Sequence, residues 1–251
     1  MRPRLLLTPR AFTATLVSGA TEQAPTYPAS NLRLPLPRRS WRSGTVYATE
    51  RVVLDFGASL TITSLIVALA NCGGVQLHTV AGTTYGSPVL VASHVFSRDG
   101  RVGRWRGWID FTATTRYLGL TPMRGSGYYE IGGILAGTAT DVVRMSDDLA
   151  ELPHVVAQGA TRTELPTQHT AVTPEGPLHL QELQLRHDVH RPAAAWLDAL
   201  LARGGAVIGV HEYGAGEHTE RAWLARVVSP WTGERRTAVL RTSNITLREV
   251  I

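Results

Sequence analysis

Tyr27-Pro28-Ala29-Ser30-Asn31-Leu32, Ser40-Trp41-Arg42-Ser43, Arg51-Val52-Val53-Leu54-Asp55-Phe56-Gly57 and Ser64-Leu65-Ile66-Val67-Ala68-Leu69-Ala70-Asn71 follow one another along residues 27–71, and their reading decides the fold. Val52–Phe56 and Leu65–Ala70 are apolar and rich in β-branched residues, with the turn signal Gly57-Ala58-Ser59 between them. Short runs of this kind, bounded by Gly, Ser, Asn and Asp, predict sheet strands rather than helix. Trp41 stands ahead of them in a polar, Arg-rich loop and reads as a plug packed under the Val52–Phe56 strand. Trp41, Asp55 and Phe56 are assigned to the structural core.

Short strands predominate on both sides of this stretch. Upstream, Leu5–Thr8 and Phe12–Val17 read as strands, and Pro25, Pro28, Pro35 and Pro37 keep residues 21–40 extended. Downstream, Val75–Val80, Val89–Phe96, Trp105–Phe111, Arg116–Leu120 and Tyr128–Gly137 read as further strands, with turns at 100–103 and 125–127. Strands at this spacing predict a sandwich or jelly roll. The chain then turns polar over residues 138–176, and a boundary falls near Thr140. Leu178–Asp188 alternates as a strand. Pro192 sits at a helix start and Gly204-Gly205 supplies the stop, which predicts a helix over 192–203. Ala206–Tyr213 and Arg221–Val228 flank Gly214-Ala215-Gly216 as a hairpin, followed by strands at 237–241 and 245–250.

The 251 residues suit one large β domain or two ordinary ones, and 43 % hydrophobic content supports a real core. Net charge is +5, and all 25 basic residues are Arg. They are spread thinly rather than gathered on one face, so nucleic acid is not favoured as a partner. Arg without Lys suits bidentate and stacked contacts at interfaces, although a high-GC coding bias is the simpler explanation of the composition. Cys72 is the single cysteine, so no intrachain disulfide exists. No run approaches the ~18 apolar residues of a membrane span, and Pro9 and Arg10 interrupt the short N-terminal leucine run. These features predict a soluble, non-exported chain with no membrane insertion.

No catalytic, cofactor or metal constellation emerges. His187-Asp188-Val189-His190 and His211-Glu212 with Glu217-His218 lack zinc spacing and are placed at a strand–helix corner and a hairpin tip. No nucleophile elbow is present, and Asp55, Asp99, Asp110 and Glu130 are too scattered to assign as a carboxylate pair. Sugar recognition has better material, because it needs flat aromatics and fork-like donors. Tyr85, Trp105, Arg106, Trp108, Tyr128 and Tyr129 are the candidate contacts for a glycan or a protein interface. The competing reading makes alternate members of this set core residues of their own strands.

The motifs from Tyr27 to Gly137 resemble, in their order, a discoidin-like, galactose-binding-type jelly roll. They are Pro28–Leu32, Trp41-Arg42-Ser43, Val53–Gly57, the strand ending at Asn71, Arg116–Leu120 and Tyr129-Glu130-Ile131-Gly132. Within that class the stretch is similar to the version in tail-tip and baseplate proteins of tailed phages and prophages. Residues 141–251 resemble the tube-forming or hub-associated β domains of distal tail proteins. The resulting expectation is a mainly β protein: strands 1–24 packing with either domain, a jelly roll over 25–140, and a smaller β domain with one helix over 141–251. In a variant of this layout, residues 1–20 join the second domain and the jelly roll is an insertion.

The resemblance implies a non-enzymatic structural subunit without cofactor, made in the host cytoplasm and located in the virion tail. It would assemble as a homo-oligomer, a trimer or hexamer, with other tail or baseplate proteins. The alternative is a carbohydrate-binding module that contacts a cell-surface glycan. Loops as long as 138–176 are usually functional or disordered, and this one is expected to wrap a neighbouring subunit. Limited proteolysis that removes it should dismantle the assembly, as read by light scattering; an assembly that survives the cut overturns that expectation.

Overall fold

A computed structural model describes residues 4–7, 9–33, 39–46, 50–99, 104–125 and 127–141. It also describes residues 155–157, 162–164, 170–172, 178–180, 182–190, 207–213, 220–227, 234–235 and 240–249. In chain order the strands are β1 (Arg4–Leu6), β2 (Thr13–Leu16), β3 (Trp41–Arg42), β4 (Val52–Ala70), β5 (Gly74–Thr79), β6 (Val89–Val95) and β7 (Ser97–Asp99). They continue as β8 (Arg104–Met123), β9 (Glu130–Ile131), β10 (Gly133–Gly137), β11 (Thr140–Asp141), β12 (Val155–Ala157), β13 (Arg162–Glu164) and β14 (Thr170–Val172). The last six are β15 (Leu178–Leu180), β16 (Glu182–His190), β17 (Ile208–Tyr213), β18 (Glu220–Val227), β19 (Glu234–Arg235) and β20 (Leu240–Glu249). The chain is mainly β, and its first sheet forms a jelly-roll sandwich.

That sheet runs β10-β4-β8-β5-β6, with β2 on the outer side of β4 and β7 beside β8. Two strands of 19 and 20 residues, β4 and β8, dominate it. The signal at Gly57 is therefore a break in register within one strand, not a turn between two. Pairing shifts between Asp55 and Leu60, between Ile62 and Ser64, and between Val67 and Ala70. Gly57 takes φ +76°, a conformation that favours glycine.

A bulge changes which residue parity faces inward. Val52, Leu54, Phe56 and Ile62 enter the main core as even-numbered residues, Leu65 and Val67 as odd ones, and Ala70 as even again. On β8 the inward set changes from Ile109, Phe111 and Ala113 to Leu118 and Leu120. Both halves of the β4–β8 ribbon thus enclose one cluster, into which Trp41 and Leu32 are fully buried.

The unbroken apolar run Leu65–Ala70 has a second cause: its outer face is covered too. Ile66 and Ala68 join Leu6, Trp108, Leu135, Ala222 and Leu224 in a separate cluster. Those partners include β1 and β18 of a second sheet, β11-β1-β17-β18-β20-β16, in which β19 pairs with β20. Its first strand comes from the N-terminus: Leu5 pairs with Thr140 on one side and Val210 on the other. β2, by contrast, pairs with β4. The N-terminal strands are therefore divided between the two sheets.

Several local expectations need correction. Asp55 is not a core residue: its carboxylate lies at the surface, accepts from Gly57 N–H at 2.8 Å and takes both ends of Arg116 at 2.9 and 3.1 Å. The Arg116 hydrogen bond holds its carboxyl below the usual carboxylate range. Trp41 lies in a short strand rather than a loop, pairing with Ile131. Pro28 leads into a 3₁₀ turn at Ala29–Arg33, which the prolines of residues 21–40 do not prevent. The polar segment 138–176 contains β11 to β14, whose lengths of two and three residues are too short to register as periodicity. The expected strands at 237–241 and 245–250 merge into β20. The helix expected over 192–203 lies outside the described residues.

His211 joins the two sheets. It is fully buried, and its ring stacks on Trp108 with centroids 5.0 Å apart and planes 9° from parallel. Trp108 Nε1 donates to Asp110 at 2.9 Å, and Arg4 pairs with the same carboxylate at 2.5 Å. Burial pushes the His211 imidazole down to about 4; Asp110 opposes the drop, while Arg4 and His94 add to it.

Two measurements test this packing. Trp41→Ala should destabilise the chain by about 3–5 kcal/mol, the range for deleting a buried large aromatic; an unchanged melting temperature overturns its core role. An unfolded histidine titrates near ~6.5, so protonating His211 favours the unfolded chain. Its contribution is present above about pH 6.5 and is lost as pH falls toward 4. His211→Phe should show a smaller loss of melting temperature across that window than the parent chain.

Candidate functional site

Glu130 and Arg42 face each other across the β3–β9 pair, and around them the surface is built. Opposite charges at directly paired positions attract, and here Arg42 Nε lies 3.2 Å from Glu130 Oε2. Glu130 is buried, and Ser40 Oγ donates to its Oε1 at 2.9 Å. The guanidinium lies near two half-buried tyrosine rings: Arg42 Cζ is 3.8 Å from the Tyr27 centroid and 5.3 Å from that of Tyr128. Such contacts are attractive through the ring quadrupole and hold each plane in place.

The backbone around this group is closely tied. Tyr27 O accepts from Arg42 N–H at 3.1 Å, and Tyr27 N–H donates to Gln23 O at 2.9 Å. The Asn71 side chain clamps the other wall, donating to Tyr128 O at 2.9 Å and accepting from Glu130 N–H at 2.6 Å. Asn31 Nδ2 donates to Ser40 O at 2.9 Å, which joins the 3₁₀ turn to β3. Nearby, buried Glu50 accepts from Thr21 N–H, Thr21 Oγ1 and Thr45 Oγ1 at 2.8–3.0 Å and fixes the loop that leads out of β3. The result is a hydrogen-bonded surface with two aromatic rings close to a charge-balanced guanidinium.

Of the five sequence-read contacts whose side chains are described, the structure brings only Tyr128 to this surface. Tyr129 is buried in the main core, with its hydroxyl donating to Val46 O at 3.0 Å. Trp108 is buried between the sheets, and Arg106 is buried on β8. Tyr85 is buried under a loop that folds back on the outer face, where its hydroxyl meets His78 Nδ1 at 2.6 Å and Thr121 Oγ1 at 3.0 Å. A Cβ on Gly119 would stand 2.1 Å from the Tyr85 ring, so glycine is what admits it. The backbone of Trp105 pairs with Arg98 and Ala70; its side chain lies outside the described set. Solvent-facing aromatics and core aromatics look alike in a strand whose parity is shifted by bulges.

Tyr27, Arg42 and Glu130 were missed as site residues although all three lie in quoted motifs. The available signal was parity: Trp41 and Tyr129 point inward, which turns Arg42 and Tyr128 the other way. Among the described residues no three His, Cys, Asp or Glu side chains converge as metal ligands. His187–His190 close β16, and His211 lies in β17, which pairs with β18; His218 and residues 191–206 lie outside the described residues. Burial raises the Cys72 thiol to about 11, far from a reactive thiolate.

The chain matches no family model and no curated protein. Among solved structures, it is similar to a Clostridium perfringens module titled CpGH89CBM32-5, in complex with GalNAc-β-1,3-galactose. That match has 13 % identity and a TM-score of 0.41, covering 52 % of this chain and 100 % of the module. It is also similar to chitosan-binding module 2 of a chitosanase/glucanase from Paenibacillus sp. IK-5, in complex with chitotriose. There the identity is 13 % and the TM-score 0.42, with 53 % of this chain and 99 % of the module covered. A third is CBM32-1 from a family 31 glycoside hydrolase of Clostridium perfringens, at 12 % identity and a TM-score of 0.39, covering 52 % of this chain and 96 % of the module.

Proposed function

We propose that the sandwich is a non-catalytic carbohydrate-binding module and that Tyr27, Arg42 and Tyr128 form its sugar-contact surface. The observation that carries this reading is the pair of half-buried tyrosine rings near one guanidinium held by a buried carboxylate. Aromatic planes suit the apolar face of a pyranose ring, and guanidinium N–H groups suit its hydroxyls. Glu130 balances the charge of Arg42 locally. The surface therefore favours neutral sugars over uronic acids.

A second reading is the structural role that the sequence resemblance implies, in a phage tail tip. The structures named above are carbohydrate-binding modules, not tail proteins. What favours an assembly role is the second sheet, which draws strands from both ends of the chain and whose terminal strands β11 and β16 each pair on one side only among the described residues. Strands open on one side can pair with a neighbouring subunit. In that role the chain forms a trimer or hexamer with other tail proteins.

A glycan array followed by titration calorimetry tests the first reading. Neutral oligosaccharides should be retained in preference to uronic-acid ones. Tyr128→Ala or Tyr27→Ala should each weaken binding by at least about tenfold, roughly 1.4 kcal/mol, with little change in melting temperature. No retention of any neutral sugar, or retention that survives both substitutions together, overturns it.

A further inference from the structure

We propose that Asn71 is the positioning residue of the Tyr27–Arg42–Tyr128 surface: its side-chain amide fixes Tyr128, so affinity for a sugar depends on a residue whose own polar groups face the backbone. This role rests on the reading of that surface as the sugar contact.

The need for such a residue follows from the shortness of β9. Its pairing with β3 covers Glu130 and Ile131. Tyr128 precedes them, next to Gly127, whose φ of +79° belongs to the left-handed region that glycine enters freely. Asn71, the residue after β4, reaches across to this segment. Its backbone N–H donates to Glu130 O at 3.0 Å. Its side chain then continues the ladder outward: Oδ1 accepts from Glu130 N–H at 2.6 Å, and Nδ2 donates to Tyr128 O at 2.9 Å. A carboxamide carries the donor and the acceptor of a peptide group. It therefore stands in for a strand neighbour just past the last backbone bond.

The amide is not what keeps β9 in place. Ser43 grips the intervening residue, accepting from Tyr129 N–H at its Oγ (2.8 Å) and donating its own N–H to Tyr129 O (2.9 Å). The Tyr129 ring is anchored in the main core. With the Asn71 N–H bond, these contacts hold the strand without the side chain. What the side chain adds is a hold on the Tyr128 carbonyl and the Glu130 amide. Tyr128 and Glu130 are the two groups of this segment that meet Arg42, so the amide sets the distance between ring and guanidinium.

Asn71→Asp keeps an acceptor for Glu130 N–H and removes the donor to Tyr128 O. In a chain labelled with 3-fluorotyrosine, the Tyr128 fluorine resonance, assigned by its loss in Tyr128→Phe, should shift or broaden in Asn71→Asp while that of Tyr85 stays in place. Titration with the neutral oligosaccharide best retained on the array should show about a fivefold loss of affinity in Asn71→Asp, and less than about twofold when the same change is made in Tyr128→Ala. Asn71→Ala should repeat the pattern, which serves if the aspartate disturbs the fold. An unmoved Tyr128 resonance overturns the positioning role whatever the chain binds. So does unchanged affinity, or an equal loss with and without the Tyr128 ring, which marks a purely structural residue. If the resonance moves but the parent chain binds no neutral sugar, the sugar reading falls and this role with it.

Discussion

The structure depends on the pairing of β4 with β8, two strands of 19 and 20 residues that run beside each other through both halves of the sandwich. A flat ribbon of that length could not enclose a core. The three breaks in register bend it and turn successive segments inward, so that Val52 and Leu54 share one cluster with Leu65 and Val67. Apart from β6, which pairs with β5, every other element of the first sheet attaches to this ribbon. β2 and β10 extend the outer side of β4, while β5 and β7 extend that of β8.

The same ribbon explains why the chain carries two cores. Its far half presents Leu65 and Val67 to the inside and Ile66 and Ala68 to the second sheet. Burial on both faces removes the polar alternation expected of a half-exposed strand. The contact between the sheets is accordingly of core character, with Trp108 stacked on His211 at its centre and the Arg4–Asp110 pair at its margin.

The fold class was legible because short β-branched runs and turn residues recur at sandwich spacing. The strand count was not, because Gly57-Ala58-Ser59 has turn composition whether the chain reverses or merely bulges, and only the pairing of Leu60 with Thr115 shows that it continues. The same loss of phase hid the candidate site. Trp108 and Arg106 look like exposed contacts if alternation is counted from a strand end, and both are buried once the register shifts are known. Tyr27, Arg42, Tyr128 and Glu130 are separated by up to about a hundred positions in sequence. Their convergence follows from the β3–β9 pair, whose two-residue length leaves no periodic trace. Asp55 sits among apolar neighbours in sequence, whereas the strand turns it outward to Arg116.

The hydrogen bonding of Leu5 to Thr140 carries a mechanical consequence. The polypeptide enters the sandwich after β1 and leaves it into β11, and those two strands lie side by side in the second sheet. A domain hung on one linker swivels about a single point; this one is moored at two adjacent points, with Trp108 and His211 pressed together beneath them. Tension applied to anything held at the far side of the sandwich is shared between two strands and passes into the second sheet along their length. Such a load shears several hydrogen bonds at once instead of opening them one at a time, a geometry suited to attachment that must hold under pull.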